Sequence, residues 1–241
     1  MKKAGMKKGK NKEFSTPYTV TNAVAKGNII TKLSLLIMGL GNIAHKQIGK
    51  GIMFLAVEAA YIWYMIQSGI YNLSMLPSLG WREQEKVWNE KKSIYEYTAG
   101  DQSSLILLYG VATVYITAMF IIVWRESVKS SYKSEVLAKS GKHLNNFKED
   151  CKSLLDQNLY KLLLAAPVMG ILIFTILPLI YNITMAFTNY SKVNDHLVLF
   201  DWVGLANFKK ILNFGDSIGK QFYSVLGWTL IWAIVATALN Y

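Results

Sequence analysis

Four stretches of 20 or more residues in this chain carry no charged side chain or a single one. A helix with one wet face needs a charge every turn or two, so a soluble domain does not hold such stretches. A helix rises about 1.5 Å per residue, and a hydrocarbon core of about 30 Å takes roughly 20 residues to cross. The four candidate spans are Ile52–Tyr71 with the single charge Glu58, Ser103–Trp124, Leu162–Tyr190 and Phe222–Tyr241. A fifth apolar stretch, Leu33–His45, is too short to cross. It contains Gly39 and Gly41 and is closed by Lys32 and Lys46. A run of this kind reads as interfacial or re-entrant. The expected fold is therefore all-α: a polytopic transmembrane helical bundle with about four spanning helices plus an N-terminal interfacial or re-entrant segment.

Charge placement sets the expected orientation. Residues 1–50 carry ten Lys and Arg, and the segments 72–102, 125–161 and 191–221 carry four, eight and four. That alternation puts the N-terminus and 125–161 in the cytoplasm of a multi-pass cell-membrane protein. If Leu33–His45 crossed, the segment with eight positives would lie outside. Tyr71, Trp81, Trp124, Tyr160, Tyr190, Trp202 and Tyr223 stand near the span boundaries, at the headgroup level such rings prefer. The net charge of +11 fits basic loops beside anionic lipid. No nucleic-acid module is present, so a nucleic-acid partner is not expected. A single cysteine, Cys151, excludes a disulfide scaffold.

Organisation along the chain reads as four parts. Residues 1–28 form a Lys-rich cytoplasmic tail, expected to be disordered. Residues 29–124 hold the short segment and two spans. Residues 125–161 form a cytoplasmic amphipathic loop, in which Leu144, Phe147, Cys151, Leu154, Leu155 and Leu159 share a helical face. Residues 162–241 hold the last two spans. The outer segment Trp81–Asp101 reads as a solvated cap.

Two residues inside the spans stand out. Pro178 lies near the middle of the third span, where proline removes a donor and bends a helix. It is either a tolerated kink or a moving hinge; Pro167 lies nearer the end. Glu58 lies eight residues past Lys50, about 12 Å along the first span. An acid at such a depth either bonds to a neighbouring Ser, Thr or Tyr or serves transport or assembly. Catalytic chemistry finds no support. His45, His143 and His196 fall in separate segments and cannot share a metal in this topology. Gly39-Leu40-Gly41 lacks the third glycine of a dinucleotide site, and no Walker-type loop is present. No catalytic, cofactor-binding or metal residue is therefore assigned, and the chain reads as no enzyme.

Pro178-Leu179-Ile180-Tyr181 followed by Ala186-Phe187-Thr188-Asn189-Tyr190, then Phe200 and Val203-Gly204-Leu205-Ala206-Asn207-Phe208, form one ordered pattern. It resembles the first core helix, and the segment after it, of permease subunits of binding-protein-dependent sugar ABC importers. Upstream, Gly39-Leu40-Gly41-Asn42, His45-Lys46-Gln47 and Gly49-Lys50-Gly51 resemble the N-terminal extension of the larger, maltose/maltodextrin-type permease. The resemblance implies an N-terminal part of such a permease, the start of its core domain lying at 162–241. It implies a second permease subunit, separate ATPase subunits that bind the ATP, an extracytoplasmic solute-binding protein, and a sugar or oligosaccharide substrate. Sugar-contacting residues are expected in further helices, so none is assigned. The alternative is a small four-helix membrane scaffold or assembly protein without transport activity.

Overall fold

A computed structural model describes residues 18–156, 158–190, 192–193, 196–197 and 199–240. The Lys-rich start as far as residue 17, and Tyr241 at the expected end of the fourth span, lie outside the described residues. Four long apolar helices run over Ile48–Met75, Ser103–Lys139, Leu159–Met185 and Ser217–Asn240. They are referred to below as the first to fourth spans. Together with the short helices Val20–Lys26, Ile29–Leu33, Leu40–Ala44, Phe147–Leu155 and Ala206–Leu212, they make this an all-α polytopic membrane protein.

The helices exceed the apolar runs because helix formation does not stop where apolarity does. The second span continues from Trp124 to Lys139 through a Ser- and Lys-rich sequence. It ends where Gly141 turns left-handed (φ 64°). There the Lys142 amide donates to the Leu137 carbonyl at 3.0 Å and the Gly141 amide to that of Ala138 at 3.1 Å. That is the Schellman arrangement, which satisfies the last carbonyls of a helix. The third span begins at Leu159 and ends at Met185, short of the Tyr190 expected from apolarity.

One expectation needs correction. Residues 18–28 are not a disordered tail. Val20–Lys26 is a helix whose first turn is capped by Thr19, with Asn22 N–H donating to Thr19 Oγ1 at 3.2 Å. The segment Trp81–Asp101, read as a solvated cap, holds two short, largely exposed strands. Lys86–Asn89 and Ile94–Tyr97 form an antiparallel hairpin that pairs Trp88 with Tyr95. Their rings meet edge to face at 4.9 Å, and Lys92 Nζ lies 2.7 Å from Glu96 Oε1. The cross-strand aromatic pair, with an ion pair from the turn to the second strand, holds this short hairpin. The hairpin is too short for periodicity to reveal.

The chain divides into two compact units. The first joins the chain up to Trp63 with Ala118–Leu162, and its small core is Ala23, Val128 and Tyr132, flanked by Leu35 and Trp124. The second joins Tyr64–Thr117 with the chain from Leu163 onward. Its core is Leu79, Leu107, Val111 and Phe200, with Ile180, Tyr181 and Met185 against it. None of the apolar window of the third or fourth span is buried by protein. Lipid tails solvate such faces as well as leucine does, so they need no protein cover.

Glycines set the tightest approach in the first unit. Gly39 is left-handed (φ 79°), and a Cβ there would stand 2.3 Å from the Gly51 carbonyl oxygen. Gly141 is also left-handed (φ 64°) but has nothing within 4 Å. Gly39→Ala and Gly141→Ala share a backbone cost of about 1–2 kcal/mol, and only the first adds a backbone clash. We predict that Gly39→Ala lowers the apparent melting temperature in detergent several degrees more than Gly141→Ala. Equal losses would show that the close approach to Gly51 is absent.

Candidate functional site

In an apolar chain the polar side chains held away from water are the functional candidates, because each must find a partner. The first unit gathers most of them. Ser127, Ser130, Ser131 and Ser134 recur at helical spacing and form one face of the second span. The segment from Asn28 to Gln47 lies along that face. Ser131 donates to Asn42 Oδ1 at 3.1 Å, and Asn42 Nδ2 donates to Ser130 Oγ and to Gln47 Oε1, both at 2.9 Å. Ser134 donates to Gln47 Oε1 at 2.7 Å. Ser127 Oγ accepts the Gly39 amide at 3.1 Å. Gly41 packs so closely on Ser131 that a Cβ would fall 2.7 Å from the serine Cβ. Further along, the buried Glu135 carboxylate accepts the Asn28 amide at 3.0 Å and the Thr31 hydroxyl at 2.6 Å. It also pairs with Lys139.

Glu58 belongs to this cradle. Its Oε2 accepts the backbone amide of Met38 at 2.8 Å. The sequence suggested a hydroxyl on a neighbouring helix. The partner is instead a main-chain donor freed by the turns between Ile29–Leu33 and Leu40–Ala44, and no residue-type pattern could have revealed it. Two successive amides, Met38 and Gly39, are thus held by side chains of two different spans.

The second unit explains the residues around Asn207. Phe200 is buried against Leu79 and Leu107, and its amide donates to Ser103 Oγ at 3.2 Å. Its ring meets Tyr190 edge to face at 5.4 Å. Trp202 Nε1 donates to the Leu76 carbonyl at 2.9 Å. Gly204 turns left-handed (φ 55°) and leads into Ala206–Leu212. Asn207 Nδ2 then donates to the Ala186 carbonyl at 3.0 Å and the Thr188 carbonyl at 2.7 Å. These carbonyls lie just past the end of the third span and have no helical partner. Val203 N–H donates to the Phe187 carbonyl at 2.8 Å, which closes the turn.

Pro178 stands in the first turn of Leu177–Met185, directly after a wide π-helical turn, Leu172–Ile176. A π turn relieves the ring's clash with the preceding carbonyls. The Leu172 carbonyl accepts the Tyr115 hydroxyl of the second span at 3.0 Å. Tyr115 had no sequence signal. Thr113 is a second polar point there, accepting from Tyr64 or donating to it at 2.8 Å and accepting from Asn72 Nδ2 at 3.3 Å. Glu58 and Pro178 thus fall in different units.

Outside the spans, Asp101 accepts the amides of Trp81 and Arg82, and these hold its carboxyl below the usual aspartate value. It borders a cleft of about 290 Å³ with Tyr71, Asn72, Gln102 and Tyr109. The Asn146 amide, and then His143, hold Glu149 below the usual glutamate value. His45 Nδ1 lies 2.6 Å from the Gly41 carbonyl. Among the described residues no three His, Cys, Asp or Glu gather as metal ligands; the side chain of His196 is outside them.

Asn207 gives a direct test of the cap on the third span. Asn207→Ala leaves two carbonyls to water and costs about 1 kcal/mol. Asn207→Asp places a carboxylate against the same two oxygens and costs more. The expected order of apparent melting temperatures is Asn, then Ala, then Asp. An aspartate variant as stable as the wild type would contradict the cap.

No family model matches the chain, and no solved structure does. Curated relatives do match it. It is 29% identical over 227 residues to the maltodextrin transport system permease protein MdxF of Bacillus subtilis (strain 168), covering 92% of this chain and 47% of that protein. It is 29% identical over 209 residues to the maltodextrin transport system permease protein MalC of Streptococcus pneumoniae serotype 4, covering 85% and 44%. It is 26% identical over 218 residues to the galactooligosaccharides transport system permease protein GanP of Bacillus subtilis (strain 168), covering 88% and 47%. The chain spans about half the length of these relatives. Along most of its own length it is a homologue of sugar-transport permease proteins.

Proposed function

We propose that the chain acts within a permease subunit of an ATP-driven importer of oligosaccharides, of the maltodextrin type, and forms part of the wall of the sugar's path. The observation that supports this most is the similarity to maltodextrin and galactooligosaccharide permease proteins over 85–92% of the chain. The assembly in this reading contains a second permease subunit, ATPase subunits that bind and hydrolyse ATP, and an extracytoplasmic solute-binding protein. This chain's role is then transport and not catalysis. Its first unit braces the spans, and its second unit closes the outer end of the third span. No observation favours the scaffold alternative.

Pro178 is the hinge of the third span in this reading. The wide turn before it has already given up regular helical bonding, so bending there breaks fewer hydrogen bonds than elsewhere. The N-terminus faces the cytoplasm, as the alternation of Lys and Arg favours.

Uptake decides the proposal. A strain in which the gene is deleted should lose most uptake of labelled maltodextrin while glucose uptake stays unchanged, and the gene in trans should restore it. Unchanged uptake of maltodextrin and galactooligosaccharides would overturn the assignment. Orientation has its own test. In intact cells an impermeant thiol reagent should label Ser217→Cys in a Cys151→Ser background, and should leave native Cys151 unlabelled until the cells are opened. Labelling of Cys151 from outside would reverse the topology.

A further inference from the structure

The segment from Ile29 to Ala44 carries large apolar side chains that no protein covers. Ile29 is 77% exposed and Leu36 75%, and Leu33 and Ile37 are also exposed. Yet its polar groups are turned inward. The Met38 and Gly39 amides go to Glu58 and Ser127, the Gly41 amide to Ser34 Oγ, and the Leu35 carbonyl accepts Trp124 Nε1 at 2.9 Å. Among the described residues no buried side-chain nitrogen or oxygen lacks a partner. Apolar groups outward and polar groups satisfied within is the pattern that lipid imposes and water does not.

Contacts with two spans fix how far the segment reaches. On the second span, Asn28 and Thr31 meet Glu135, Asn42 meets Ser130, Ser131 and Ser134, Gly39 meets Ser127, and Leu35 meets Trp124. Both arms therefore climb the helix toward its apolar part, and the bend between Leu35 and Gly39 lies farthest along. On the first span, Gly39 sits against Gly51, and the Met38 amide meets the carboxylate of Glu58. The sequence places the polar boundary of these spans at Lys50 and Arg125. The bend thus stands at or just past that boundary on both helices. Lys32 and Lys46 close the two arms on the polar side. Leu36 and Ile37, exposed at the bend, project where the hydrocarbon begins.

We infer that residues 29–44 form a shallow re-entrant wedge whose bend at Leu36 and Ile37 enters the acyl chains of the leaflet on the N-terminal side, and that Glu58 is the positioning residue that latches it there. The occupant of the exposed surface is lipid. Its headgroups meet the lysines at the arms, and its acyl chains meet the bend. This inference does not depend on the transported substrate.

The test uses the full chain in a Cys151→Ser background, reconstituted in phosphatidylglycerol–phosphatidylethanolamine vesicles. Nitroxide labels are placed at Leu36→Cys, at Ile52→Cys on the first span and at Ser140→Cys in an exposed turn. Collision with oxygen is compared with collision with a water-soluble nickel chelate. The oxygen-to-nickel ratio at position 36 should be several-fold above that at 140 and close to that at 52. Glu58→Ala should bring the ratio at 36 toward the value at 140 while the ratio at 52 holds. Glu58→Gln, whose amide oxygen still accepts the Met38 N–H, should restore it. Equal ratios at 36 and 140 would overturn the wedge. A ratio at 36 that Glu58→Ala leaves unchanged would overturn the latch.

Discussion

A backbone amide or carbonyl shielded from water must be answered inside the protein, and the cost of leaving one unanswered is several kcal/mol. This requirement governs the N-terminal unit. The segment between Asn28 and Gln47 has too few residues in helix to satisfy its own main chain. Glu58 from the first span, and Ser127 and Glu135 from the second, accept the amides of Met38, Gly39 and Asn28, while Ser130, Ser131 and Ser134 bond the side chains of Asn42 and Gln47. The glycines allow the backbones to come close enough for these bonds to form. Gly39 faces Gly51, and Gly41 faces Ser131, at distances that no Cβ would tolerate. The glycine-rich sequence is therefore a packing device.

The same rule explains the second unit at smaller scale. A proline in the third span removes a donor and crowds the turn before it, and the helix there opens into a wide turn, whose first carbonyl, that of Leu172, accepts the Tyr115 hydroxyl. The helix end leaves free carbonyls, and Asn207 answers two of them from the segment that follows. The order Phe200, Gly204, Asn207 then has a physical reading: an apolar plug, a left-handed turn and a cap.

The spans were legible in the sequence because a charge-free run of 20 residues has few other fates in water. Their ends were not. Ser103–Lys139 outruns its apolar part because Ser and Lys do not stop a helix, whereas Gly141 does. The short segment at 33–45 was legible by its length as no span-long helix, and the structure breaks it into Ile29–Leu33 and Leu40–Ala44. Its attachment was not, because it depends on main-chain donors that carry no sequence signature. The serine spacing at 127, 130, 131 and 134 is the one signal of it in the sequence, and Lys129 and Lys133 between them mask it. Glu58 stood out as an anomaly in an apolar run, but its partner Met38 could be found only in three dimensions. The hairpin at 86–97 escaped because strands of four residues fall below what alternation can show.

The central claim is that the N-terminal segment is fixed to the first two spans through its own backbone. Amide hydrogen exchange of the full chain in lipid nanodiscs measures this at the bonds themselves. The amides of Asn28, Met38 and Gly39 should exchange orders of magnitude more slowly than those of residues 143–145, although neither group lies inside a regular helix. Exchange at the same rate in both places would mean that Glu58, Ser127 and Glu135 do not hold the segment, and the account would fail at its base.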